Sequence, residues 1–538
     1  MRKCMKKALF AVCAAILLIQ VGCAGTNAPS AGPSAPSASP SATKTETTAA
    51  SSAPTKQEDA PAQTPVRDSI IVAMESEPPT LHPFDHKAVT ASFMNKLTYS
   101  YLFEANPETL DPEMLLVKEY SNTSETEWIF TIHDNVLFHN GDKMTAQDVV
   151  ASMDYAKTYP TAKDYTSFWS DVCVVDEYSF KVTTEGPFAF VLNNLCNIRV
   201  LPKGLIDADH DFHTNPIGSG PYKFVKQTLG DSIEFVKFDD YFREGHPPTI
   251  RNMLWRIIPE SSSRTIALEA GEVDLVIEVD TVSLDRLKAS EAIETTTVRG
   301  TRVNFLAMNG EVAPFDNQLF RKAVNSAINK EAIIAIALDG EGYVALSQTP
   351  SVFGGTNTEN ADDYDLDAAK QYLAQSGVDT STLSIPCIVS TDTARRAAEV
   401  LQSNLGDLGI TLTIDSMDYA TYLSAIMGGN YTVAVSGYTA SDYNYFTTGL
   451  FHSRSLNSAN LARVNDEQID EYIELGRTQI DESLRIDTYN KLSAYLNDLT
   501  PFAPLYESVV TRAFNKDLGG IVVGATGAIR FEDVYWIN

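Results

Sequence analysis

Asn215-Pro216-Ile217-Gly218-Ser219-Gly220-Pro221-Tyr222-Lys223-Phe224-Val225 is the densest run of backbone punctuation in the chain. Gly218 and Gly220 permit positive φ, while Pro216 and Pro221 fix φ and remove donors, so the run predicts a stiff corner. Beyond it, Tyr222 to Val225 and Ser232 to Phe238 alternate apolar and polar residues as half-buried strands do. The two glycines fit neither G-x-G-x-x-G nor G-x-x-x-x-G-K-[ST], and Pro221 lacks an N–H that a phosphate would need. The run is therefore read as a structural corner and not as an anion cradle.

Upstream, Asp68 to Met74 predicts a short buried strand, Glu75 to Pro83 a proline-stiffened loop, and Asn95 to Glu104 a helix. Trp128 to Ile132 predicts a strand and Asn140-Gly141-Asp142-Lys143 a turn. Thr145 to Lys157 carries a capping box, Thr145 with Asp148, ahead of Val149, Val150, Met153 and Ala156 on one face. Downstream, Pro314-Phe315-Asp316 leads into an apolar-periodic helix over Gln318 to Leu338. Helices over 365–376, closed by Gly377, and 395–409 precede a strand over 410–414. Alternating helices and strands give an α/β or mixed α+β fold.

The chain opens with a positive segment, Arg2, Lys3, Lys6 and Lys7, then an apolar run from Ala8 to Val21 too short for a comfortable membrane span. Residues 1–22 read as a signal peptide. Gln20-Val21-Gly22-Cys23 resembles the lipobox of bacterial lipoproteins, with Gln20 where an aliphatic residue is usual, which implies a lipid on Cys23. From residue 23 to 65 the sequence is almost wholly Ala, Ser, Pro, Thr and Gly, the composition of a tether unable to offset its ordering entropy.

Formal charge is −29, and loss of the cationic leader takes it to −33. Such a balance argues against nucleic acid as a partner. Of six cysteines, Cys173, Cys196 and Cys387 remain after the leader and Cys23 are set aside. They have no C-x-x-C spacing and are read as buried thiols, with a Cys173 to Cys196 bridge left open. No metal or other cofactor is expected. Eight histidines occur with no H-E-x-x-H and no G-x-S-x-G, so a hydrolase is the least favoured class. His82, His86, His210 and His213 sit in Asp- and Pro-rich loops and are expected to face solvent.

Val136 to Ala156 resembles the signature of the ABC-transporter extracellular solute-binding proteins, family 5, of the oligopeptide, dipeptide and nickel type. There a strand, a His/Asp-Gly turn and a T-A-x-D-V helix follow in that order. Four further stretches resemble that family in sequence order. Glu77 to Pro83 matches E-P-x-x-L-D-P, with His82 for Asp, and Pro216 to Tyr222 matches P-x-G-T-G-P-Y, with Ser219 for Thr. Ile258 to Leu275 matches a helix ending in G-E-V-D. The last stretch carries Asn309, Pro314-Phe315-Asp316, Arg321, Ala323, Ala327-Ile328 and Lys330-Glu331.

The resemblance implies a periplasmic-binding-protein-like fold of type II, two lobes with an additional third domain and a ligand cleft between lobes. Its parts are domain I over 66–113, 216–300 and 506–538, domain II over 114–215, and domain III, the second lobe, over 301–505. It also implies a monomer outside the cytoplasm, lipid-anchored to the cell membrane, that captures a solute and delivers it to ABC permease transmembrane subunits. Oligopeptides are the favoured solute. Ser436 to Phe451 holds one carboxylate among tyrosines, and its Asp442-Tyr443-Asn444 resembles the D-Y-N of oligopeptide binders. By that resemblance Asp442 takes the peptide's amino terminus, with Tyr438, Tyr443 and Asn444 beside it. Glu77 and Pro79 match a loop that lies along the peptide. Arg395 and Arg396 start a helix on the cleft side and are read as solvated. Nickel or metal chelates, haem and oligosaccharides are the alternatives on this fold, the last with Trp169 and Trp255 as stacking platforms.

Overall fold

The computed structural model describes residues 67–279 and 281–537. The leader, Cys23 and the tether lie outside them.

Among the described residues the main element is an eleven-stranded sheet. Its centre is Ile293–Met308 antiparallel to Phe502–Asn515, two strands long enough to serve both halves of the sheet. At one end of that pair, Phe514 and Ala513 pair with Leu275–Val276, which continues through Ser69–Met74 and Asn252–Ile257 to Ser232–Lys237 and Tyr222–Thr228. At the other end, residues 302–308 pair with Val433–Thr439, which leads on to Ser384–Val389 and Thr411–Ser416. The central pair slips register between Arg299 and Val303, so the ladder is interrupted where one half passes into the other. The boundaries expected at 300/301 and 505/506 both fall within these two strands.

A separate four-stranded sheet holds Val117–Ser124, Glu127–Ile132, Ser179–Thr184 and Trp169–Val174. The strand Glu127–Ile132 buries every second residue, and the helix Ala146–Lys157 buries Val149, Met153 and Ala156. Its capping box forms as the sequence implies, with the Thr145 N–H donating to Asp148 Oδ2 at 2.8 Å.

The Asn215 to Val225 corner forms, but for a different reason. Neither Gly218 nor Gly220 takes a positive φ. Both are glycine because the chain passes against the end of the helix Val89–Thr98: a Cβ on Gly218 would stand 2.2 Å from the Thr98 carbonyl oxygen, and one on Gly220 would stand 2.4 Å from that of Leu97. The Gly220 N–H donates to the Thr98 carbonyl (2.9 Å) and the Ser100 hydroxyl to the Ser219 carbonyl (2.8 Å).

Several expectations are corrected. The helix placed over 95–104 runs instead over Val89–Thr98, because Tyr99 turns extended and Tyr101 bridges to Arg199 before the strand Phe103–Ala105. The helix expected over 318–338 is two, Gln318–Ala327 and Lys330–Ala337, since the Asn329 side chain caps a new start by accepting from the Ala332 N–H. Thr391 starts the next helix early, at Asp392–Gly406. Cys173, Cys196 and Cys387 are free thiols, but only Cys387 is fully buried and the other two are half-buried. Trp169 and Trp255 are core residues, so neither offers a face to a sugar.

His82 is 1 % exposed and not solvent-facing. Its ring stacks on His213 (4.6 Å between centroids) and Tyr159 (4.5 Å), and its Nδ1 accepts from the Phe84 and Asp85 N–H groups, 3.1 Å each. His86 is half-buried, with Asn95 Nδ2 at 2.6 Å from its Nε2.

Candidate functional site

The strand Val433–Thr439 ends in a short turn, and Asp442 starts the helix Tyr443–Phe451. Asp442 is its N-cap: Oδ1 accepts from the Tyr445 N–H and Oδ2 from the Ser441 hydroxyl, each at 2.8 Å. Capping leaves the carboxylate at the meeting point of three cavities of about 450, 240 and 590 Å³, all of which it lines. Burial raises its pKa, opposed by the Tyr445 N–H and the Ser441 hydroxyl. Among the described residues no lysine, arginine or histidine lies within ion-pair distance of it.

The walls come from chain segments far apart in sequence. In the largest cavity, Asp164 and Phe168 face Asn444, Tyr445 and Arg477. In the 450 Å³ cavity, Trp128 and Phe190 face Phe353, Tyr443, Arg485 and Tyr489. The smallest holds Lys96, Tyr101, Glu104, Cys196 and Arg199 opposite Asp442 and Thr526. Contacts span the cleft directly. The Ala189 N–H donates to the Arg477 carbonyl (2.8 Å), the Tyr445 hydroxyl to Asp164 Oδ2 (3.2 Å), and the Arg485 guanidinium lies 5.5 Å from the Phe190 ring centroid. Leu110 and Phe190 share an apolar cluster with Tyr443, Phe446 and Tyr489, so the two walls are packed together.

Of the residues singled out from sequence, Asp442, Tyr443 and Asn444 are brought to these cavities. Tyr443 is 4 % exposed, stacks on Tyr489 at 4.3 Å and donates to the Tyr489 carbonyl, so it fixes the helix start as well as lining the wall. Tyr438 does not line the three cavities. Its ring lies 5.5 Å from Phe446 and against Gly449, where a Cβ would sit 2.3 Å from its hydroxyl. Glu77 and Pro79 do not line them either: Glu77 accepts from Gln227 Nε2 (2.6 Å) and Pro79 is exposed. Arg395 and Arg396 pair with the acids Asp392, Glu399 and Asp339.

Sequence reasoning missed Lys96, Arg199, Arg485 and Tyr489. One had a readable signal: Arg199 stands among Ile198, Val200, Leu201 and Pro202, an apolar run in which an arginine is destined for the interior.

A mixed α/β chain, its long central strands shared by two halves of a sheet and its cavities enclosed between packed walls, defines a solute-binding protein with a periplasmic-binding-protein fold of type II. The model for bacterial extracellular solute-binding proteins, family 5 Middle, matches residues 111–458, and the chain belongs to that family. It is 25% identical over 475 residues to the haem-binding protein A of Haemophilus influenzae, covering 81% of this chain and 86% of that protein. It is 26% identical over 434 residues to the dipeptide-binding protein of Escherichia coli, covering 75% and 81%. The solved structure of HbpA2 from Haemophilus parasuis superimposes with a TM-score of 0.79 at 21% identity, over 87% of this chain and 99% of that one. The family's members are extracellular proteins that bind solutes.

Proposed function

We propose that this protein captures short peptides by their free amino terminus in the cleft and delivers them to an ABC permease. The observation that carries this reading is Asp442, a carboxylate enclosed between two walls, held by a backbone N–H and a hydroxyl, and without a cation of its own. A half-buried carboxylate without a cation gains from one, and a peptide ammonium supplies it. The similarity to a dipeptide-binding protein supports the same solute class. Asn444 and Tyr443 line the path on either side of the carboxylate. Glu77 and Pro79 would act only on a longer peptide that runs beyond the three cavities.

In this reading domain I takes 66–113, 216–300 and 506–538, domain II 114–215 and domain III 301–505. The register slip between Arg299 and Val303 is where the lobes hinge. The protein works as a monomer held to the membrane through a lipid on Cys23, with residues 23–65 as tether. Membrane fractionation of cells making Cys23→Ser tests the anchor: the variant is expected in the medium or the soluble fraction, and retention in the membrane fraction contradicts it.

Calorimetric titration with Ala-Ala-Ala and its N-acetylated form tests the capture mode. Loss of the charge opposite a buried partner costs about 2–5 kcal/mol, so acetylation is expected to weaken binding at least roughly thirtyfold. Equal affinity for the two forms, or binding of neither, contradicts it.

A further inference from the structure

The 240 Å³ cavity is lined by two cations that belong to no ion pair among the described residues. Arg199 is 7 % exposed, with its guanidinium 4.9 Å from the Tyr101 ring centroid and Nη1 donating to the Asn197 carbonyl at 2.7 Å. The Tyr101 and Tyr165 hydroxyls also favour its charge, and its Nε–H alone has no hydrogen-bond partner. Among the described residues no carboxylate lies within ion-pair distance of it. Lys96, half-buried, holds its ammonium 5.6 Å from the same ring and also lacks an ion pair there. Glu104, the acid that lines this cavity with them, is taken by Arg243 (3.0 Å) and Arg530 (3.2 Å). Asp442 forms part of the opposite wall. The Cys196 thiol lines the same cavity, and burial pushes it up to about 12, so it stays protonated.

The cavity is smaller than the roughly 300–1,000 Å³ that encloses a drug-sized ligand, so it suits one residue and not a whole peptide. A buried guanidinium with an unused donor is stabilised by an anion that completes its hydrogen bonds. Its complement is a group with an ammonium at one end and a carboxylate at the other.

Resting on the peptide reading above, we propose that Lys96 and Arg199 form an anion subsite beside Asp442 that selects ligands carrying a carboxylate close to their free amino group. That chemistry has two sources: an acidic first side chain and the α-carboxylate of a γ-glutamyl peptide.

Titration calorimetry on the full chain separates them through two pairs: Glu-Ala-Ala against Gln-Ala-Ala, and γ-Glu-Ala-Ala against its α-amide. In at least one pair the acidic member is expected to bind about tenfold tighter or more, the effect of a charge-assisted hydrogen bond, and that pair names the source. The preference is expected to fall below about threefold in Lys96→Gln and Arg199→Gln. Lys96 is not fully buried, so its variant decides the matter should Arg199→Gln fail to fold. Peptide binding with no acidic preference in any pair overturns the subsite alone, as does a preference that survives Lys96→Gln. Binding of none of the four peptides overturns the peptide reading along with it.

Discussion

His82 stands where the family resemblance leads one to expect aspartate, and the structure shows what the two side chains share. An imidazole Nδ1 that accepts from the N–H groups two and three residues on does the capping work of a short carboxylate. The difference is titration. Burial, with His213 and His86 adding repulsion against a smaller pull from Asp211, takes the His82 pKa from 6.5 down to about 3. Between those values the unfolded chain binds the proton and the folded chain does not, so this stability is complete above pH 6.5 and is lost as pH falls toward 3. At pH 5 the loss is on the order of 2 kcal/mol. His82→Asn keeps an acceptor for the two N–H groups and removes the titration. Urea unfolding at pH 7 and pH 5 is expected to show a smaller difference in the variant by about that amount. His86 and His139, both held near 4, leave the variant some acid sensitivity. An unchanged difference would show that the His82 ring is protonated without cost.

Among the elements, the corner at Asn215 to Val225 shows how a correct placement can rest on an incomplete reason. Glycine there answers a close approach by the helix Val89–Thr98, and the obstructing atoms are backbone, which cannot rotate away. Gly220→Ala is therefore expected to cost about 1–3 kcal/mol or more by overpacking. Gly204→Ala, with nothing within 4 Å of the new Cβ, is expected to be neutral or stabilising by up to about 1 kcal/mol. Chemical unfolding of the two variants checks the contrast, and equal stabilities contradict it. Where the signals were local, the sequence was legible: Thr145 with Asp148 marked a helix start, and Asp365 with Gly377 marked both ends of Leu366–Ser376. Where a tertiary contact decided, it was not. Nothing local in Lys96 to Glu104 says that Tyr99 leaves the helix to meet a chain a hundred residues on. The site divides in the same way. Asp442 was readable because a carboxylate among tyrosines follows an apolar strand, whereas Lys96 and Arg199 meet it only once the fold has brought three distant segments together.

At the scale of the molecule, among the described residues, one sheet runs through two halves on two shared strands, and the region of the separate four-stranded sheet supplies the wall that faces Asp442. The walls meet through a tyrosine hydroxyl on Asp164, one backbone hydrogen bond and a shared apolar cluster that buries Leu110 and Phe190. The exposed polar contact is worth about 0–1 kcal/mol, so apolar packing carries most of this closure. In the proposed reading a bound amino terminus adds to that closure through Asp442. A double-mutant cycle measures it most directly: Ala-Ala-Ala and N-acetyl-Ala-Ala-Ala titrated into the wild type and into Asp442→Asn, which keeps an oxygen to cap Tyr443–Phe451. The free peptide is expected to lose at least roughly thirtyfold in the variant and the acetylated one little, a coupling of about 2 kcal/mol or more. Equal losses for both peptides, or none for either, would contradict the assignment of the amino terminus to Asp442.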